Sequence, residues 1–129
     1  MREITEHHDG HGLNEALMVV ADNTDHNAGG ASHNYEVAYM SAGYPGIAST
    51  PVATIQFQHG PRNVEGSKPG VTDGVLLAIL IDRLRSFNAG PFACRENAIA
   101  LTHMEEALHW VKHRADARAK RGVLGQNVK

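Results

Sequence analysis

The sequence predicts an α+β fold: a small N-terminal antiparallel β-sheet, then a C-terminal αα-hairpin, with oligomerisation through the helices. Three observations predict it. Two stretches, around 35–39 and 52–59, alternate their residues with period two, the mark of strands. Past residue 72 the apolar spacing becomes helical and is broken once, by Asn88, Ala89, Gly90 and Pro91. The first of the two helices is apolar on every side from Val75 to Ile81, which is more than a small sheet can cover.

The elements follow in order: a flexible histidine-rich start (1–12), a β domain (13–66), the hairpin (72–121) and a tail (122–129), expected as one compact unit. His7, His8 and His11 lie beside Gly10 and Gly12 and read as solvated side chains on mobile chain. Residues 13–21 suit either a short helix or a strand. Two clear strands need a third for stability, so context makes this segment a strand. Tyr35, Val37 and Tyr39 share one face of the next strand. Ala53, Ile55, Phe57 and His59 oppose Val52, Thr54, Gln56 and Gln58 in the one after, which stops at Gly60-Pro61. Thr72 and Asp73 supply side-chain oxygens to cap the first helix. The second runs from Cys94 to about Lys120, with Leu101, Met104, Leu108, Val111 and Ala115 stepping by three and four as a packing seam. At about 1.5 Å per residue it is nearly 40 Å long, and the first helix is about two-thirds of that. Part of the long helix therefore has no partner in its own hairpin, and this overhang with the all-round apolar first helix predicts association through helices.

The 129 residues carry a net charge of -2, unevenly spread. Up to residue 40, Arg2 alone faces seven acidic residues, whereas from Lys112 onward six basic residues face only Asp116. Such asymmetry points to an anionic partner at the basic end, to one end docking on the other, or to a solvated helix tail. Cys94 is the single cysteine, so no internal disulfide forms. No apolar run spans a bilayer and the start does not read as a signal peptide, which together suggest a reducing cytosol.

The chemistry-bearing stretch is 86–110. Cys94 sits at a helix start beside Arg95, where its thiol would acidify. The nearest base, His103, is more than two helical turns away, so the cysteine reads better as a small semi-buried residue. Glu106 and His109 form Glu-x-x-His, and His113 follows one turn on. Doubled in a dimer, this would suit a metal-dependent helical-bundle enzyme; it also suits a solvated stripe opposite the seam. Phe87, Arg95 and Asn97 gather an aromatic ring, a fork-shaped cation and an amide at a helix start, which suits a base and a phosphate.

The stretch Phe92-Ala-Cys-Arg-Glu-Asn, the run "ALTHMEEALHW", and Arg114 and Arg118 before Arg121-Gly-Val resemble the helical-hairpin family shared by phage anti-CBASS and anti-Thoeris nucleotide sponges. With "GGASHNYEV" and "IQFQHGP", residues 27 to 125 look like the anti-Thoeris branch, which adds a small β domain ahead of the hairpin. The resemblance implies a protein that is not an enzyme and uses no cofactor or metal. Such proteins sequester glycocyclic ADP-ribose isomers unaltered, and some members hold cyclic di- or trinucleotides at a separate place. It implies a homohexamer in the cytoplasm of an infected bacterial host, with no membrane and no nucleic acid polymer as partner.

Residue by residue, the resemblance makes Phe87 the ring that stacks on adenine and Asn97 its polar companion. Arg62 resembles a basic contact from the β domain, and His33 occupies a polar or basic position. Arg114, followed by Arg118, resembles the grip on pyrophosphate, while Arg95 and Ile99 mark the second, cyclic-oligonucleotide place. The tail departs: relatives often read Gly-Val-Glu-Gly-Thr-His where this chain has Gly122-Val-Leu-Gly-Gln-Asn. Asn97 and Arg114 are 17 residues apart, about 25 Å along one helix. A site containing both must lie between subunits. The rival classes are the metal-dependent bundle enzyme, a small nucleic-acid-binding module using the basic tail, and a structural adaptor without a small ligand.

Overall fold

The structure, a computed structural model, describes residues 1–25, 29–40, 50–60 and 65–124. It contains β1 (Arg2–Ile4), β2 (Leu17–Ala21), β3 (Asn34–Tyr39), β4 (Thr50–Gln56), α1 (Asp73–Asn88) and α2 (Arg95–Lys120). The chain divides into two compact units, Met1–Gly70 and Val71–Lys129. Sheet first and hairpin second is the order the sequence predicts.

The first unit is a four-stranded antiparallel sheet in the order β1-β2-β3-β4. β1 is a correction to the sequence reading. Arg2–Ile4 pairs with Val19 to Ala21, and the Met1 ammonium group donates to Asn23 Oδ1 at 2.9 Å. His7 is also tied down, its ring Nε2 lying 2.6 Å from the Leu17 carbonyl. The ambiguity over 13–21 resolves in favour of the strand, which is shorter than expected. Residues 13–16 form a turn, closed by Ala16 N–H donating to Gly12 O and Leu17 N–H to Asn14 O, and only Leu17–Ala21 is strand. Ala21, the last residue of β2, lies between Arg2 and Tyr35 and is wholly buried. Between Val37/Ala53 and Ala38/Pro51 the register of β3 and β4 slips, leaving Val52 as the extra residue of a bulge and 58% exposed. β4 is less buried than its alternation suggests: within it only Ile55 is half-buried, followed by Phe57, whose ring meets Tyr35 edge-on at 5.6 Å.

The second unit is the hairpin. Thr72 caps α1 as expected, its Oγ1 accepting the Val75 N–H at 3.2 Å. α2 starts on a sulfur cap: Cys94 Sγ accepts the Asn97 N–H at 3.4 Å, and the cysteine is exposed rather than semi-buried. α2 stops in a Schellman turn. Gly122 takes φ +73°, which only glycine adopts freely, so that Val123 N–H reaches Arg118 O and Gly122 N–H reaches Ala119 O.

Ile81, 3% exposed, is the buried centre of the hairpin, with Leu77, Leu84, Leu101, Met104 and Leu108 half-buried. Val111, expected in the seam, is exposed. The reason is helix length: Gly74 in the first turn of α1 already lies against Leu108 and Val111, so beyond Val111 α2 has no α1 residue to meet. Val75, Ile79 and Leu80 remain exposed on α1, as the all-round apolar pattern implies. Among the described residues no helix is long and apolar enough to cross a membrane.

Candidate functional site

The end of α1 and the turn that follows form an open groove of about 620 Å³, within the range of small-molecule sites. Helical spacing builds one wall: Ile79, Asp82, Arg83, Ser86 and Phe87 fall on one face of α1. Gly90, Pro91 and Phe92 supply the other wall from the turn. The turn is closed by Ala89 N–H donating to Arg85 O, Gly90 N–H to Phe87 O, and Ala93 N–H to Gly90 O. Phe87 is half-buried, and Phe92, 71% exposed, approaches it at 6.5 Å between centroids with the rings 70° apart. The Arg83 guanidinium carbon sits 5.1 Å from the Phe87 ring centroid. An aromatic surface, a cation and a rim of Asp82 and Ser86 can take a flat, polar-edged molecule.

Asn97 is half-buried in the first turn of α2, where Arg95 and Ile99 are exposed. Arg114 is exposed on the same unbroken helix, so the separation of about 25 Å from Asn97 holds. One chain does not bring these two together. Arg118, one turn beyond Arg114, is only 7% exposed, and its Nη2 donates to Val123 O at 3.0 Å. The turn that closes α2 engages that guanidinium.

His33 belongs to the first unit. Its ring stacks on His59 at 4.3 Å and 10°, and His59 Nε2 donates to Asp25 Oδ2 at 2.9 Å. The buried His33 Nε2 has no hydrogen-bond partner among the described residues. Arg62 lies outside the described residues. Beside His33, Asp22 knits β2 to β3: its carboxylate accepts Asn34 Nδ2 at 2.8 Å and His33 N–H at 3.1 Å, while its carbonyl accepts Ser32 Oγ at 2.8 Å. The Asn34 amide bond holds the Asp22 carboxyl below its ordinary pKa; burial opposes this, and the backbone N–H of His33 adds to it. A lowered folded-state pKa means stability present above about pH 3.9, the unfolded value, and lost as pH falls through the folded value. Chemical denaturation followed between pH 6 and 2 is expected to show that loss for the wild type. Asp22→Asn is expected to be less stable at pH 6 and to lose less on acidification.

With this geometry in place, comparison with known sequences decides the family. A sequence model described as the Acb2/Tad1 hairpin domain matches residues 50–115, just over half of the chain. The chain belongs to the Acb2/Tad1 hairpin family. It is also similar to Thoeris anti-defense 1 of Bacillus phage SBSphiJ7, with 45% identity over 78 residues. That match takes in 60% of this chain and 54% of the relative, so the chain spans about half the length of the relative it matches.

The Acb2/Tad1 match covers β4, α1 and most of α2, and so includes the whole groove and Arg114. The metal alternative gains no geometry from the hairpin of this Acb2/Tad1 member. Among the described residues no group of three or more histidine, cysteine or acidic side chains is placed to hold a metal ion. Glu106 pairs with His103 at 3.8 Å, and the His109 ring meets Trp110 at 5.3 Å and His113 at 6.5 Å, all on an exposed helix face. The sequence reading singled out Phe87 but missed Arg83 and Ser86 as groove residues. The available signal was helical spacing on a helix already assigned: Arg83 is three residues before Ser86 and four before Phe87.

Proposed function

We propose that this protein captures glycocyclic ADP-ribose, a cyclic ADP-ribose-type signal of bacterial Thoeris immunity, and holds it without breaking a bond. The observation that carries the reading is the groove at the hairpin turn, with Phe87 presenting a ring within it, in a chain of the Acb2/Tad1 hairpin family. Adenine stacks on Phe87, worth about 1–3 kcal/mol, and Asn97 satisfies polar edges nearby. Arg114 of another copy binds the pyrophosphate through charge-assisted hydrogen bonds, roughly twice as strong as neutral ones. The distance along α2 supports the intersubunit arrangement, and so do Val75, Ile79 and Leu80, apolar and exposed on α1. A homohexamer in the host cytoplasm is the assembly we propose. Arg95 and Ile99, exposed at the start of α2, form the second place, for cyclic di- or trinucleotides.

Competition with a cellular receptor needs a Kd near nanomolar, about -12 kcal/mol. Stacking alone falls far short, so several phosphate and amide contacts in a preorganised oligomer must contribute. The test is native mass spectrometry of the protein incubated with glycocyclic ADP-ribose, followed by heat denaturation and chromatography of the released ligand. The expected result is a ligand-loaded oligomer that returns its ligand chemically intact. A hydrolysed product, or a loaded monomer, would sink the reading.

A further inference from the structure

We infer that Arg83 is the second wall of a base clamp: a purine enters between its guanidinium and the Phe87 ring and is held on both faces. The inference deepens the proposed function and rests on its placing of the base at Phe87. Arg83 and Phe87 are one turn apart on α1, and the guanidinium carbon lies over the ring at 5.1 Å, inside cation–π range. The neighbouring Arg85 is ion-paired to Glu105 at 2.7 Å. Arg83, by contrast, makes no hydrogen bond or ion pair among the described residues, so its five N–H donors remain available. It is exposed, and swinging it outward breaks no hydrogen bond or ion pair among the described residues.

Admitting a base replaces one guanidinium–ring contact with two stacks, base on Phe87 and guanidinium on base. Phe92 meets Phe87 at a steep angle, so it bounds the end of the slot instead of lying across the ring. The groove also decides between base and phosphate as the partner of Arg83. Asp82 lines the same groove, and its carboxylate would repel a phosphate placed there. It tolerates a neutral base, whose amino edge it can accept from.

The test is calorimetric titration of the full chain with glycocyclic ADP-ribose and, separately, with ADP, for wild type, Arg83→Met, Arg83→Lys and Arg85→Met. Arg83→Met is expected to weaken binding about tenfold, the size of a desolvated guanidinium stack. Arg83→Lys keeps the charge without the plane and is expected to fall between Arg83→Met and wild type. Arg85→Met, outside the groove, is expected to bind as wild type. The dependence of affinity on salt should stay the same in Arg83→Met, because a base stack replaces no phosphate contact. Arg83→Met binding within twofold of wild type overturns the clamp, and so does a shallower salt dependence, which would make Arg83 a phosphate contact. Wild type that binds ADP in an Arg83-sensitive way but ignores glycocyclic ADP-ribose keeps the clamp and removes the proposed function. Wild type that binds neither removes both.

Discussion

Phe87→Ala is expected to lower affinity for glycocyclic ADP-ribose roughly a hundredfold, at the upper end of what one base stack contributes. The ring does two things in the native protein. It closes the end of the hairpin, half-buried and edge-on to Phe92, and it carries Arg83. Alanine removes packing and stacking together, so Phe87→Leu should be measured beside it. Leucine keeps much of the buried volume but offers no flat face, and is expected to match alanine in binding while melting near wild type. A Phe87→Leu protein that binds like wild type would place the base elsewhere.

The same substitution tests how copies share a site. Arg114 is about 25 Å along α2 from Asn97, too far for a single nucleotide to join them within one chain. Phe87→Ala and Arg114→Ala copies should each fail when alone. Mixed by unfolding and refolding together, they should recover about a quarter of the sites, because each intact site needs one copy of each kind at random. Failure to recover any binding would mean that both residues act within one subunit.

The hairpin was legible because its signals are local. Thr72 announces a cap three residues from the N–H it accepts, and Asn88 to Pro91 break the helix where they stand. The strand β1 was not legible. It is three residues long, two of them charged, and it exists only through pairing with Val19 to Ala21, some seventeen residues away. The same holds at the sites. Phe87 could be found from its place at the end of an apolar helix. The stack of His33 on His59 joins residues from separate segments of the first unit, and no local pattern encodes it. The surroundings of Arg118 were illegible for a related reason. Its spacing from Arg114 suggests a basic stripe, but the Schellman turn at Gly122 brings the Val123 carbonyl back to its guanidinium. A side chain's use then depends on where the chain goes after the helix, which spacing on the helix does not state.

Gly70→Ala is expected to lower the melting temperature of the first unit by about 10–20 °C, from a cost of roughly 2–3 kcal/mol in a domain of this size. The cause is contact, not backbone angle. A Cβ at Gly70 would overlap Gln56 O and the Phe57 carbonyl carbon and lie 2.7 Å from Gln58 N, all of them backbone atoms that no rotamer change can move. To relieve this, the segment before Gly70 must leave the end of β4. Leaving would break the bond from Gln56 Nε2 to Pro69 O at 2.8 Å and strain the paired bonds between His59 and Lys68 at 2.8 and 2.9 Å. Gly66 is the control that separates the two ways a glycine can matter. It has φ +85° but open space around it, so Gly66→Ala carries only left-handed strain, about 1–2 kcal/mol. If contact is the cause, Gly70→Ala melts lower than Gly66→Ala and weakens hydrogen-exchange protection of the His59 and Lys68 amides. Equal melting of the two variants, with His59 and Lys68 still protected, would show that the segment before Gly70 does not press on β4 as this packing requires.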